Sequence, residues 1–185
     1  VILTQKLIKQ LMHYDPHTGV CIWLPRFPWM FSDTEHFSAE TICKQWNSRW
    51  AGKPAGTINP NGHLEAKVFR KSYKLHALIW LYQTGGWPSE RINHENDCLT
   101  DNRWFNLRQG TYAQTSARRR TTSKSGTWLR GAYPTHRRGK AKPWRASITI
   151  EGKRLHLGVY DTELEAHEAY LAAAQYYYGK FARAA

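Results

Sequence analysis

INHENDCLTDNRWFNLR, residues 92–108, carries the pattern from which the rest of this chain is read. Ile92 leads into a polar loop, HENDCLTDNRW, and regularity returns with NLRQGTYAQTSARRR. Two short β-segments and a helix are the coarse expectation. Asn106 is placed to cap that helix, and the arginines at its far end favour its C-terminal dipole. Taken alone, a loop histidine such as His94 is most simply satisfied by backbone, so its role depends on what surrounds it.

The whole chain of 185 residues carries 27 Lys+Arg against 14 Asp+Glu, a net charge of +13. That length suits one medium domain or two to three small ones. With 41% hydrophobic residues, 14% aromatic residues and nine Trp, the chain is too apolar to be disordered. No apolar run approaches the roughly 20 residues of a membrane span, and the opening VILTQKLIKQ has no signal-peptide pattern. Cys21, Cys43 and Cys98 are odd in number and far apart, which supports neither a disulfide framework nor a zinc knuckle. Three thiols in a reducing, cytoplasmic compartment are expected.

The positive charge is concentrated. Residues 102–150 contain no Asp or Glu, yet they hold Arg103, Arg108, Arg118, Arg119, Arg120, Lys124, Arg130, Arg137, Arg138, Lys140, Lys142 and Arg145. A segment so biased gains mainly from a polyanion, through phosphate contact and counterion release. Trp104, Tyr112, Trp128, Tyr133 and Trp144 interleave these charges, and SARRRTTSKSGTWLRG makes no basic amphipathic helix. Nucleic acid is therefore the favoured partner, a solvated basic face ranks behind it and a membrane surface comes last; docking on an acidic protein that mimics DNA is a further alternative.

Upstream, Leu3, Leu7, Ile8 and Leu11 recur at helical spacing behind Thr4, a cap. DPHTG turns the chain at 15–19, VCIWL at 20–24 has strand length, and residues 25–50 are unassigned. GTINPNGHLEAKVF, 56–69, predicts a hairpin, Arg70-Lys71-Ser72 a second turn, and YKLHALIWLYQTGG a helix ended by Gly85-Gly86. His76 lies on that apolar helix, where packing or a hydrogen bond to a neighbouring loop is the simplest role. Downstream, TTSKSG is a linker, followed by strands at 127–134, 144–150 and 153–160, the last two joined at Glu151-Gly152. Asp161-Thr162 then caps a helix whose buried face is Leu164, Ala166, His167, Ala169, Tyr170, Ala173 and Tyr177.

INHENDCLTDNRWFNLR, with KLHALIWLYQTGGWP before it, resembles the ββα-metal core of phage and mobile-element HNH homing endonucleases. Residues 125–185 are similar to AP2-type DNA-binding domains in Arg130-Gly131, Trp144-Arg145-Ala146, Leu157-Gly158, Asp161-Thr162 and Ala169-Tyr170. The N-terminal LTQKLIKQLMHYDPHTGVCIW and AGKPAGTINPNGHL also resemble such phage-type proteins. The resemblance implies an α+β chain of small modules. These are an N-terminal accessory region (1–86), an HNH core (87–120), a linker (121–126) and an AP2-like domain (127–185) with a three-stranded antiparallel sheet plus helix.

The resemblance also implies chemistry: a phage- or prophage-encoded endonuclease of the bacterial cytoplasm, acting as a monomer on double-stranded DNA and, with one core, nicking by default. His94 takes the position of the general base that activates water, beside one Mg²⁺ or Mn²⁺. The metal-ligand positions fall on Asn93 and Thr115, both departures from the usual Asp and His or Asn. With neither anionic, the ion is held mostly by water and substrate phosphate. Asp97, Asp101 or Gln114 could compensate. Asn106 matches the Asn that braces the loop, and Asn102 belongs to the Asp-Asn-Arg element. No His or Cys has zinc-ligand spacing, so no zinc is expected.

In WRASITI, Arg145, Ser147 and Thr149 share one strand face and Trp144, Ala146, Ile148 and Ile150 the other. By resemblance the first face enters the major groove, so Arg130, Tyr133, Arg145, Ser147, Thr149, Arg154 and His156 contact DNA, with Arg118, Arg119 and Arg120 tracking the backbone. The alternative, resting on Asn93 and Thr115, is a catalytically silent HNH-fold protein that binds DNA or regulates.

Overall fold

A computed structural model describes residues 2–117, 129–135 and 144–182, which divide into two compact units, 1–109 and 110–185. Helices and small antiparallel sheets mix throughout, as expected of an α+β chain. Among the described residues no helix is long and apolar enough to cross a membrane.

The first unit begins with α1 (Gln5–Leu11), where the Thr4 hydroxyl accepts from the Leu7 amide as the spacing predicts. Met12 does not extend that helix. It starts β1 (Met12–Tyr14), which pairs antiparallel with β2 (Cys21–Trp23), because Met12, Tyr14, Cys21 and Trp23 bury on one face of the hairpin. The unassigned 25–50 segment holds a 3-10 turn (Pro28–Met30) and α2 (Ala39–Trp50), capped by Ser38. Next come β3 (Thr57–Ile58), β4 (Leu64–Val68) and β5 (Lys71–Lys74), one antiparallel sheet. The second turn falls on Phe69-Arg70, both at positive φ, and Lys71 and Ser72 are already strand.

Helix α3 (Leu75–Thr84) lays Leu75, Leu78, Ile79 and Leu81 into a core shared with Ile8, Leu11, Met12 and Val68. It ends as expected at Gly85, whose positive φ lets its amide bond the Leu81 carbonyl. Strands β6 (Arg91–His94) and β7 (Leu107–Gly110) then pair. Here the helix expected from Asn106 is corrected. Leu107 is drawn into the core and Asn106-Leu107-Arg108 leads into strand, while α4 (Tyr112–Ala117) begins later. Its cap is a reciprocal Thr111–Gln114 box: the Gln114 amide donates to the Thr111 hydroxyl and the Thr111 amide to the Gln114 side chain.

In the second unit β8 (Ala132–Pro134), β9 (Trp144–Ile150) and β10 (Lys153–Tyr160) form an antiparallel sheet with β9 central. The β9–β10 connection turns at Glu151-Gly152, both at positive φ. Residues 127 and 128 of the first expected strand, and the 121–126 linker, lie outside the described residues. Helix α5 (Glu163–Tyr178) starts with a capping box between Thr162 and Glu165. It buries Ala166, His167, Tyr170 and Ala174 against the sheet. Leu164 and Tyr177, expected on that face, are exposed, since they sit at its flanks.

Gly131 is where this unit is tightest. A Cβ there, at φ +80, would meet the Tyr170 ring at 2.1 Å, whereas Gly152 has the same φ and open space. Gly152→Ala is expected to cost about 1–2 kcal/mol from the left-handed backbone alone. Gly131→Ala should cost clearly more and lower the calorimetric transition of this unit further. Equal losses for the two variants would contradict the contact.

Candidate functional site

The loop between β6 and β7 is held by carboxamides rather than by metal-like clusters of charge. Asn106 Nδ2 donates to Asn96 Oδ1 (3.0 Å) and to the Asp101 carbonyl (2.7 Å), while its Oδ1 accepts from the Asn96 amide (2.9 Å). The Glu95 amide bonds the Asn106 carbonyl at 2.8 Å. Asn106, 3% exposed, thus closes both ends of the loop on itself.

The β1–β2 hairpin supports the same loop. The Tyr14 hydroxyl donates to the Asn102 carbonyl (2.8 Å), and the Trp104 amide to the Pro16 carbonyl (3.0 Å). Gly19 lies so close that a Cβ would stand 2.5 Å from the Arg103 amide nitrogen. Trp104 completes the seat by packing its ring 5.1 Å from that of Trp80 on α3.

Within this frame His94 is 3% exposed, with Nε2 3.1 Å from Asn102 Oδ1. With the Asn102 carboxamide in this orientation its Oδ1 accepts, which assigns the proton to Nε2 and the lone pair to Nδ1. Burial lowers the pKa of His94 against the opposing pull of Asn102, Asp101 and Asp97. The ring is therefore neutral near neutral pH.

The other proposed metal-site residues are engaged elsewhere in hydrogen bonds. Asn93, half-buried beside His94, turns Nδ2 toward the Arg91 carbonyl (3.4 Å). Thr115, on α4 in the second unit, donates to the Gly110 carbonyl (3.4 Å). Asp101, considered as a compensating carboxylate, is engaged on both oxygens by Arg103 and also accepts from Asn96 (2.6 Å). The Arg103 bond holds its carboxyl far below the usual range. Gln114 is spent on the α4 cap.

His94 has two companions that linear spacing did not reveal. His63, after the turn that leads into β4, and His76, in the first turn of α3, lie with it in one cluster, a ring nitrogen of each within 4.8 Å of the others. Among the described residues His63 Nδ1 is buried without a hydrogen-bond partner. Burial, then the neighbouring rings and Lys74, push His76 down from 6.5 to about 3. The only sequence signal was the presence of His76 on an otherwise apolar helix face.

The DNA-facing set divides differently. On the sheet of the second unit, Tyr133 pairs with Arg145, Ser147 with His156 and Thr149 with Arg154, and directly opposed residues share a face. Arg145 and Arg154 both place guanidinium groups over the Tyr133 ring, at 5.9 and 4.8 Å. Ser147 is not open as the alternation suggests: it is 6% exposed because Arg154 Nε lies over it and donates to its hydroxyl at 3.0 Å. Thr149, Arg154, Arg145 and His156 are exposed. Arg130 packs its guanidinium 5.9 Å from the Tyr170 ring, and its carbonyl accepts from His167. Arg118, Arg119 and Arg120 lie outside the described residues.

The depressed pKa of His76 has a definite sign in stability. Folded His76 stays neutral while the unfolded chain takes up a proton below about pH 6.5, so stability is full above that value and falls with pH down to about 3. The expected slope for this one group is up to about 1.4 kcal/mol per pH unit. Urea unfolding of chelator-treated protein from pH 7 to 4 should show it, and His76→Gln should flatten the slope even where it lowers stability overall. An unchanged slope would remove His76 as the cause.

No curated protein matches the chain. A family model described as HNH endonuclease matches residues 73–117, the stretch that runs from β5 through α3 and the His94 loop to the end of α4, and by this the central part of the chain is similar to HNH endonucleases.

Proposed function

We propose that the chain is a sequence-directed DNA endonuclease of HNH type, nicking with one weakly held divalent ion and guided to DNA by an AP2-like C-terminal sheet. The observation that carries this reading is the His94–Asn102 hydrogen bond inside the HNH-like stretch. With Nε2–H donated to Asn102, His94 keeps the Nδ1 lone pair and is neutral near pH 7, the state in which an imidazole can take a proton from an attacking water. Asn106 and the Tyr14 hydroxyl orient the loop that carries this pair and do no chemistry themselves. The face made by Tyr133, Arg145, Thr149, Arg154 and His156 has the width of a sheet and the charge for phosphate and guanine, and it supports docking in a major groove.

The ion implied by the HNH resemblance, Mg²⁺ or Mn²⁺, supplies charge neutralisation at the scissile phosphate when bound. Asn93 and Thr115 offer it only neutral oxygens, and Asp101 is already bound by Arg103. That donor set does not fit a hard cation held by the protein itself. The same observation favours a second reading, a silent HNH-fold protein that binds DNA without cutting it.

Supercoiled plasmid incubated with Mg²⁺ or Mn²⁺ separates the two. A working nuclease nicks it, and His94→Ala lowers the rate by about 100-fold or more. A silenced one is inert until Asn93→Asp restores an anionic ligand. If the wild type and Asn93→Asp are both inert, the nuclease reading fails; if His94→Ala cuts like the wild type, His94 is not the base. On a bound duplex, two unlike modules in tandem should protect more than one helical turn, about 10 bp, from DNase. A shorter footprint would reduce the recognition surface to one module.

A further inference from the structure

His63, His76 and His94 reach one place from a turn, a helix start and a strand end. Their ring centroids stand 5.2 Å (His63–His76), 5.2 Å (His76–His94) and 6.0 Å (His63–His94) apart. Three imidazoles bound tetrahedrally at the usual zinc–nitrogen distance hold their centroids about 5 Å apart. Two of the three separations already match, and the third needs closing by about 1 Å.

We propose that His63, His76 and His94 form a three-nitrogen site for a late first-row divalent ion, with Zn²⁺ as its representative. The donor chemistry selects this class: three imidazoles suit zinc, cobalt, nickel and copper, whereas magnesium requires oxygen. Among the described residues His63 Nδ1 is buried without a hydrogen-bond partner, which the ring contacts leave unexplained and a bound ion satisfies. His94 is already oriented as a ligand would be, its second nitrogen donating to the Asn102 side-chain carbonyl. Asp97 and Asp101 favour positive charge at His94 and Lys74 opposes it. His63 is the half-buried member of the three.

Such an ion would take the Nδ1 lone pair of His94, the atom the nuclease reading uses as base. Zinc binding and that base role therefore exclude one another, and Zn²⁺ should inhibit any Mg²⁺-dependent nicking. The binding itself is independent of the nuclease reading and is measured without DNA.

Chelator-stripped full-length chain, titrated with Zn²⁺ against a chromophoric chelator, should bind one tight equivalent. Co²⁺ in the same protein should give the intense visible bands of a four- or five-coordinate nitrogen site without thiolate charge transfer. His63→Gln should weaken the tight equivalent by at least about tenfold, the lower end of the loss seen for mere outer-shell partners. Its circular dichroism and zinc-free melting should stay as in the wild type. His94→Gln should do the same if His63→Gln misfolds, and Cys98→Ser should keep the site. Absence of a tight equivalent, an octahedral Co²⁺ spectrum, or wild-type affinity in a folded His63→Gln or His94→Gln variant would overturn the site.

Discussion

The Asn106 carboxamide, bonded at once to Asn96 and Asp101, is the constraint from which the central site follows. It is buried, and a buried carboxamide left unpaired costs about 1–3 kcal/mol, so its three bonds bind the loop to one shape. That shape puts Asn102 against His94 and presents the Asn102 and Arg103 backbone to the β1–β2 hairpin. Gly19 is required there because no side chain fits between the hairpin and the loop. A short loop rich in Asn and Asp can therefore be rigid without a core of its own.

Electrostatics at this site runs against what a hard metal needs. Of the loop's carboxylates Asp101 is tied to Arg103, and the position before His94 carries an amide. What the fold concentrates is neutral imidazole: burial first, with the neighbouring rings and Lys74 behind it, lowers the pKa of His76 and His63, and burial with Lys74 that of His94. Neutral nitrogen donors and neutral oxygen donors call for different ions, which is why base and ligand are competing roles for His94.

The second unit treats its charge differently. Cross-strand pairing stacks Arg145 and Arg154 over Tyr133 on an exposed face, with Arg154 Nε given to Ser147. Ser147 shows the limit of reading faces from alternation: a long side chain on the next strand, Arg154, can lie over a short one and bury it. On the other side of the sheet, Gly131 admits the Tyr170 ring, and small residues on α5 let helix and sheet approach closely.

Local signals sufficed where local physics decides. The Thr4 and Thr162 caps, the Gly85 stop and the Glu151-Gly152 turn are each contained in a few neighbouring residues, and they were legible as sequence. So was the positive charge of residues 102–150 and the kinship of the His94 stretch, both properties of composition and order. Tertiary structure alone decided that Asn106 leads into strand rather than capping a helix, because burial of Leu107 outweighs helical preference there. It alone gathered His63, His76 and His94, since 13 and 18 positions of chain separate them. Contact between such residues is set by how a hairpin, a helix and a strand pack on one core, a quantity that no local spacing encodes.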